Sequence, residues 1–241
     1  MSPMLAEHRH GRQALNWRIP LFAAVAGACV AFSGVAAAKS LVVRSAGPSA
    51  KSYPPGKALP DNTKIMLQSG DSVTVLGAGS KRTLRGPGSF PAPVGATDLA
   101  MATSKRGRFG ALRTGDLALN PSPWNLDVTQ SGTMCVARNA ALKMWRPNAG
   151  EAAKLGIKGA AAPTTIDWPA GKSTIEWPTA VEIADGSEFE LAFAGKPAGE
   201  RVRFTVIPSI PQDITEAAAA LIKHGCQNQL DLLVDGLESS D

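Results

Sequence analysis

The sequence predicts a mainly β protein that ends in an α-hairpin, and three observations carry that prediction. Short stretches of alternating apolar and polar residues are broken at close intervals by turn residues, supplied by 24 glycines and 18 prolines. The motif Thr165-Ile-Asp-Trp-Pro169 nearly repeats as Thr174-Ile-Glu-Trp-Pro178, each with apolar side chains on either side of an acid, as a half-buried strand requires. Only after Pro211 does a helical period appear, with alanines at 217–220 and then Leu230, Leu233, Val234 and Leu237 at helical spacing. With 44% hydrophobic and 19% charged residues, a chain of 241 can bury a core.

The first 38 residues read as an export signal. Arg9, Arg12 and Arg18 form a basic n-region, residues 19–35 are apolar apart from Pro20, Ser33 and small residues, and Ala36-Ala37-Ala38 offers a cleavage site before Lys39. The alternative is an uncleaved inner-membrane anchor, since residues 19–38 give the roughly 20 residues that span a bilayer. A lipoprotein signal fits less well, because Ala26-Gly27-Ala28-Cys29 lacks a larger aliphatic residue three places before the cysteine. The expectation is a periplasmic or secreted product, with membrane contact only if the leader is retained.

Residues 39–93 are expected to form a small β domain of four or five strands. Leu41-Val42-Val43 precedes the turn at Gly47-Pro48; Ile65 and Leu67, and then Val73 and Val75, alternate with polar neighbours. Gly77 and Gly79 imitate a phosphate-binding loop, but Arg82 stands where a third glycine is needed and Pro87 lies where a helix should begin. The stretch is therefore read as a hairpin, with strands 73–76 and 81–85 and no nucleotide.

The units Gly70-Asp-Ser-Val-Thr-Val-Leu and Leu84-Arg-Gly-Pro-Gly, with Tyr53-Pro-Pro-Gly before them, resemble those of exported bacterial proteins carrying a FecR-like β-domain. The resemblance covers about residues 41–93. It implies a periplasmic sensing or scaffold module without catalytic residues. The iron-responsive regulators of that family also place a domain in the cytoplasm, for which about 18 residues before the apolar segment leave little chain.

Residues 94–123 read as a basic Pro/Gly linker. Lys105, Arg106 and Arg108 make it a candidate surface for an anionic polymer or an envelope protein. No series of stacking aromatics accompanies the charge, so the pattern does not point to nucleic acid. Charge is split along the chain: residues 39–120 carry 12 Lys/Arg against 4 Asp/Glu, and residues 121–241 carry 10 against 15.

Residues 124–241 are expected to form a β-sandwich-like domain, with strands at 124–129, 133–137, 141–145, 164–168, 173–177, 188–193 and 201–207, a helical turn over 151–158, and the C-terminal hairpin docked on top. Removing the leader leaves Cys135 and Cys226, which in an oxidising compartment predict one disulfide closing a loop of about 90 residues, worth roughly 4 to 5 kcal/mol in the chain-entropy model. The competing chemistry is a Cys135 nucleophile with His224 as base. Trp168 and Trp177 are candidate binding platforms, and Asp167 with Glu176 could pair as the acid and base of a glycan hydrolase. No cysteine belongs to a C-x-x-C pair, and neither a metal nor a cofactor is expected. The functional expectation is an exported, non-catalytic cell-envelope module that binds, senses or scaffolds.

Overall fold

The computed structural model describes residues 40–60, 63–77, 79–92, 118–196 and 198–237. The leader and most of the basic linker, including Lys105, Arg106 and Arg108, lie outside the described residues. The fold is mainly β, with fourteen strands among the described residues and two helices at the C-terminal end. No described helix is long and apolar enough to cross a membrane.

The first six strands are β1 (Ser40–Ala46), β2 (Ala58–Leu59), β3 (Lys64–Leu67), β4 (Ser72–Gly77), β5 (Ser80–Arg85) and β6 (Gly88–Pro91). Four of them form an antiparallel sheet in the order β2-β1-β4-β5, and β3 pairs with β6. The expected hairpin is present: Val73 lies opposite Leu84 and Leu76 opposite Lys81. Val42, Ile65, Leu67, Val73, Val75 and Leu84 close a small core between these sheets.

The entry to β4 is held by one carboxylate. Asp71 is buried and accepts hydrogen bonds from the backbone N–H groups of Ser49 (2.8 Å) and Gln68. Burial pushes its carboxyl up, but hydrogen bonds from Ser49 and Gln68 outweigh that and hold it below the usual carboxylate range. Gly47 crosses this carboxylate at φ 98°, and a Cβ there would lie 2.6 Å from Asp71 Oδ1, so only glycine fits.

The remaining strands are β7 (Asn125–Asp127), β8 (Gly132–Ala137), β9 (Lys143–Trp145), β10 (Ala153–Lys158), β11 (Thr164–Trp168), β12 (Thr174–Glu176), β13 (Glu188–Phe193) and β14 (Glu200–Ile207). A five-stranded sheet, β11-β10-β13-β14-β8, packs against a three-stranded one, β12-β9-β7. The helical turn expected over 151–158 is instead β10. Leu155 and Ile157 alternate into the core while Lys154 and Lys158 face out, and the strand is hydrogen-bonded on both sides, to β11 and β13. Two-residue alternation across Gly156 outweighs the helix propensity of Ala152, Ala153 and Lys154.

The outer face of the five-stranded sheet neutralises itself. Lys158 stands opposite Glu190 and Glu190 opposite Arg201; Glu188 lies opposite Arg203, and Lys154 opposite Asp167. Cross-strand opposite charges favour this register and leave the face without a dominant sign.

Helix α1 (Ile214–His224) begins where Asp213 accepts from the N–H groups of Thr215 and Glu216, at 2.8 and 2.9 Å, and ends at Gly225 in the left-handed region. Helix α2 (Gln227–Asp235) follows at once. Ile214, Ala217, Ala218 and Leu221 of α1, with Leu230, Leu233 and Val234 of α2, face a common core. That core also takes Cys135 and Ile207 from the sandwich and Leu41, Val43 and Leu76 from the first sheet. The β units expected over 39–93 and 124–241 thus meet in this shared core, because β1 and β4 carry buried residues on both faces and the second face packs on the helices.

Candidate functional site

The hairpin is fastened at three points. Cys135 and Cys226 lie within bonding distance and form a disulfide, their Cα atoms 5.8 Å apart. With both sulfurs engaged, the thiolate of the competing catalytic reading is not available. Beside them the buried Gln229 side chain accepts from Cys135 N (2.6 Å) and donates to Cys135 O (3.0 Å). Strand β8 is a sheet edge, and this amide occupies the place a further strand would take. On the opposite side, Arg44 donates to Asp231 (2.6 Å) and Asp235 (2.7 Å), which are one helical turn apart on α2.

The register of β1 makes that last contact possible. Pairing with β4 shifts between Val42 and Arg44, so that Arg44 lies opposite Thr74 and Ser45 opposite Val73. Opposite residues share a face, and an unshifted strand would send Arg44 into the core beside Val73. The shift delivers the guanidinium to the helix and puts Ser45 in the core position, where its hydroxyl is buried without a hydrogen-bond partner.

The repeated Trp-Pro motif forms two copies of one corner. Trp168 ends β11 and is 0% exposed; Trp177 follows β12 and is 8% exposed. Each indole N–H donates to the carbonyl four residues on, Trp168 to Lys172 O (2.8 Å) and Trp177 to Val181 O (2.7 Å). Trp177 also meets Phe189 and Phe204 edge to face, with ring centroids 5.3 and 5.4 Å away. The expectation of ligand platforms is thus corrected for both residues: their faces are spent on the sandwich core and their N–H groups on closing turns.

The two acids of the repeat do not share a cleft. Asp167 is on the edge of the five-stranded sheet, exposed and paired with Lys154 at 2.6 Å. Glu176 is on the edge of the other sheet, where it lines a cleft of about 830 Å³ with Arg138, Glu182 and Asp185. An acid and base acting on one glycosidic bond must flank it; these line separate hollows. Asp127, the last residue of β7, has its carboxyl pushed up by burial, against the hydrogen bonds it receives from Thr129.

One functional candidate was not singled out from sequence. Arg146 follows β9 and is 5% exposed. Its guanidinium lies 5.1 Å from the Trp168 ring centroid. Its Nη2 donates to Glu151 O (2.7 Å) and Pro169 O (3.1 Å), and its Nε to Lys172 O (3.4 Å). These acceptors are all backbone carbonyls, so no carboxylate offsets the charge; burial pulls the guanidinium below the usual arginine range. The signal was present in the strand parity, because Leu142, Met144 and Arg146 alternate and the first two are core residues. Arg146 and Trp168 form part of the wall of an open hollow of about 830 Å³.

Among the described residues no group of three or more His, Cys, Asp or Glu side chains could hold a metal ion. No family model matches the chain, and comparison with curated proteins and with solved structures finds no match either. Function must therefore be argued from the disulfide-fastened hairpin and from the hollow beside Arg146.

Proposed function

We propose that this chain is an exported, non-catalytic module of the cell envelope that binds or scaffolds a protein partner or an anionic surface polymer. The observation that carries the reading is the Cys135–Cys226 clamp, set where both β units meet the helical hairpin. A disulfide in that position serves a protein that works in an oxidising compartment. The leader-like residues 1–38 point the same way, and so does the FecR-like pattern of residues 41–93, which implies sensing or scaffolding. Non-catalytic action is supported by the separation of Asp167 from Glu176 and by the engagement of both cysteines.

Fractionation of a bacterial host that expresses the full chain, followed by mass spectrometry without reduction, tests this. The expected product begins at Lys39, leaves with the osmotic-shock fraction and carries Cys135 linked to Cys226. An intracellular product with an intact leader and both thiols open to alkylation contradicts the reading. If the linker makes the contact, periplasmic crosslinking captures a partner that is lost when Lys105, Arg106 and Arg108 are changed to Ala, and captured less at high salt.

A further inference from the structure

Arg146 is held in an unusual electrostatic position. Three of its N–H bonds go to carbonyls that fold the 146–151 loop onto the turn after β11, and Lys172 O accepts from both Arg146 and Trp168. Its other terminal nitrogen, Nη1, has no hydrogen-bond partner. Among the described residues Ser45 Oγ is the only buried side-chain N or O atom without a partner, so Nη1 must reach solvent. Arg146 is one of the residues that line the hollow, and Nη1 is the one guanidinium nitrogen the protein leaves without a partner.

The rest of the hollow sets the kind of ligand. Lys154 and Lys196 oppose Glu151 and Asp167 on its wall, and Asp167 is already taken by Lys154. Arg146 is left as the uncompensated charge. Phe193 and Pro147 supply apolar surface, and about 830 Å³ is far more than a lone ion needs but is the size of a site for a small organic molecule. A free cationic N–H donor suits an oxyanion, and an apolar floor suits the C–H face of a sugar ring.

We propose that the hollow beside Arg146 binds the carboxylate of an acidic sugar, with Nη1 donating to the carboxylate and the ring lying over Phe193. The site deepens the envelope reading and rests on it for the source of the ligand, an anionic glycan chain.

The test titrates the purified full chain with glucuronate and with a short galacturonate oligomer, following the Arg146 side-chain and Trp168 indole N–H signals by NMR. Saturable shifts of both signals are expected with either uronate and not with glucose. Arg146→Lys, which keeps a charge but has no Nη1 at that position, should weaken binding at least about tenfold. Because Arg146 also ties two loops, Lys196→Ala is the companion variant; it leaves those bonds in place and should weaken binding about threefold, as one exposed cation can. Three results overturn the proposal: no saturable shift with either uronate, equal shifts with glucose, or a response to inorganic phosphate alone. The outcome is separable from that of fractionation. Uronate binding by a chain that stays inside the cell would sink the export reading and leave this site standing, whereas an exported, crosslinkable chain blind to uronates would do the reverse.

Discussion

Asp71 shows how much of a small β unit can depend on one side chain. Its carboxylate joins the turn at Gln68 to the segment starting at Ser49, two stretches that no strand pairing connects. A carboxyl whose pKa falls on folding stabilises the native state above its unfolded value, near 4, and that stability is lost as pH falls through the lower, folded value. Asp71→Asn keeps the shape but loses the charge that favours two N–H donors. It should lower the melting temperature at neutral pH and remove part of the difference between neutral and acid melts, which thermal unfolding from pH 7 to pH 3 would reveal. Equal melting temperatures for the two proteins across that range would show that the carboxylate is not what holds the turn. The same residue shows where sequence reading stops. That the acid faces inward toward Ser49, 22 positions earlier, depends on chain contacts no local pattern encodes.

At the scale of elements, the helical hairpin is the part whose ends were easiest to read. Asp213 as cap, Lys223 and His224 in the last turn and Gly225 as the left-handed stop are local signals, and in the structure Asp213 and Gly225 cap the helix while the two cations sit in its last turn. The docking surface was less legible. Leu230, Leu233 and Val234 announce an apolar stripe, but Gln229 beside them reads as polar surface and is buried, because the edge of β8 offers a free N–H and C=O at Cys135. Converting both Cys135 and Cys226 to Ala should cost about 2 to 5 kcal/mol. Since Gln229 and the shared core remain, the protein should still fold, with an unchanged far-ultraviolet spectrum at 20 °C and a lower denaturation midpoint. Loss of the helical signal in the double variant at that temperature would mean that the covalent link, and not the packing, seats the hairpin.

For the whole molecule, the consequence of one hairpin serving two β units is cooperativity. Leu41, Val43 and Leu76 belong to the first sheet but are buried against helices that also cover Cys135 and Ile207 of the sandwich. Leu76→Ala should cost about 2 to 5 kcal/mol, and the loss should reach the sandwich as well: amide exchange at Leu191 and Phe204 should speed up along with exchange at Val73, and the calorimetric and van't Hoff enthalpies should agree. Exchange that quickens only in residues 40–92 would show that the two β units unfold independently.

Pattern along the chain was enough for the mainly β character, the β4–β5 hairpin, the two helices and the pairing available to the cysteines, because alternation, turn residues and caps act over a few residues. It misread β10, where Ala and Lys favour helix locally and two neighbouring strands decide otherwise. It also missed the fate of Trp168, Trp177 and Arg146, since an indole or guanidinium looks the same in sequence whether it faces solvent or a core. Which side each faces depends on sheets closing over one another and on carbonyls brought in from distant turns. Those are long-range events, driven by burial of apolar surface and by the need to pair every buried polar group, and they were settled only when the whole chain packed.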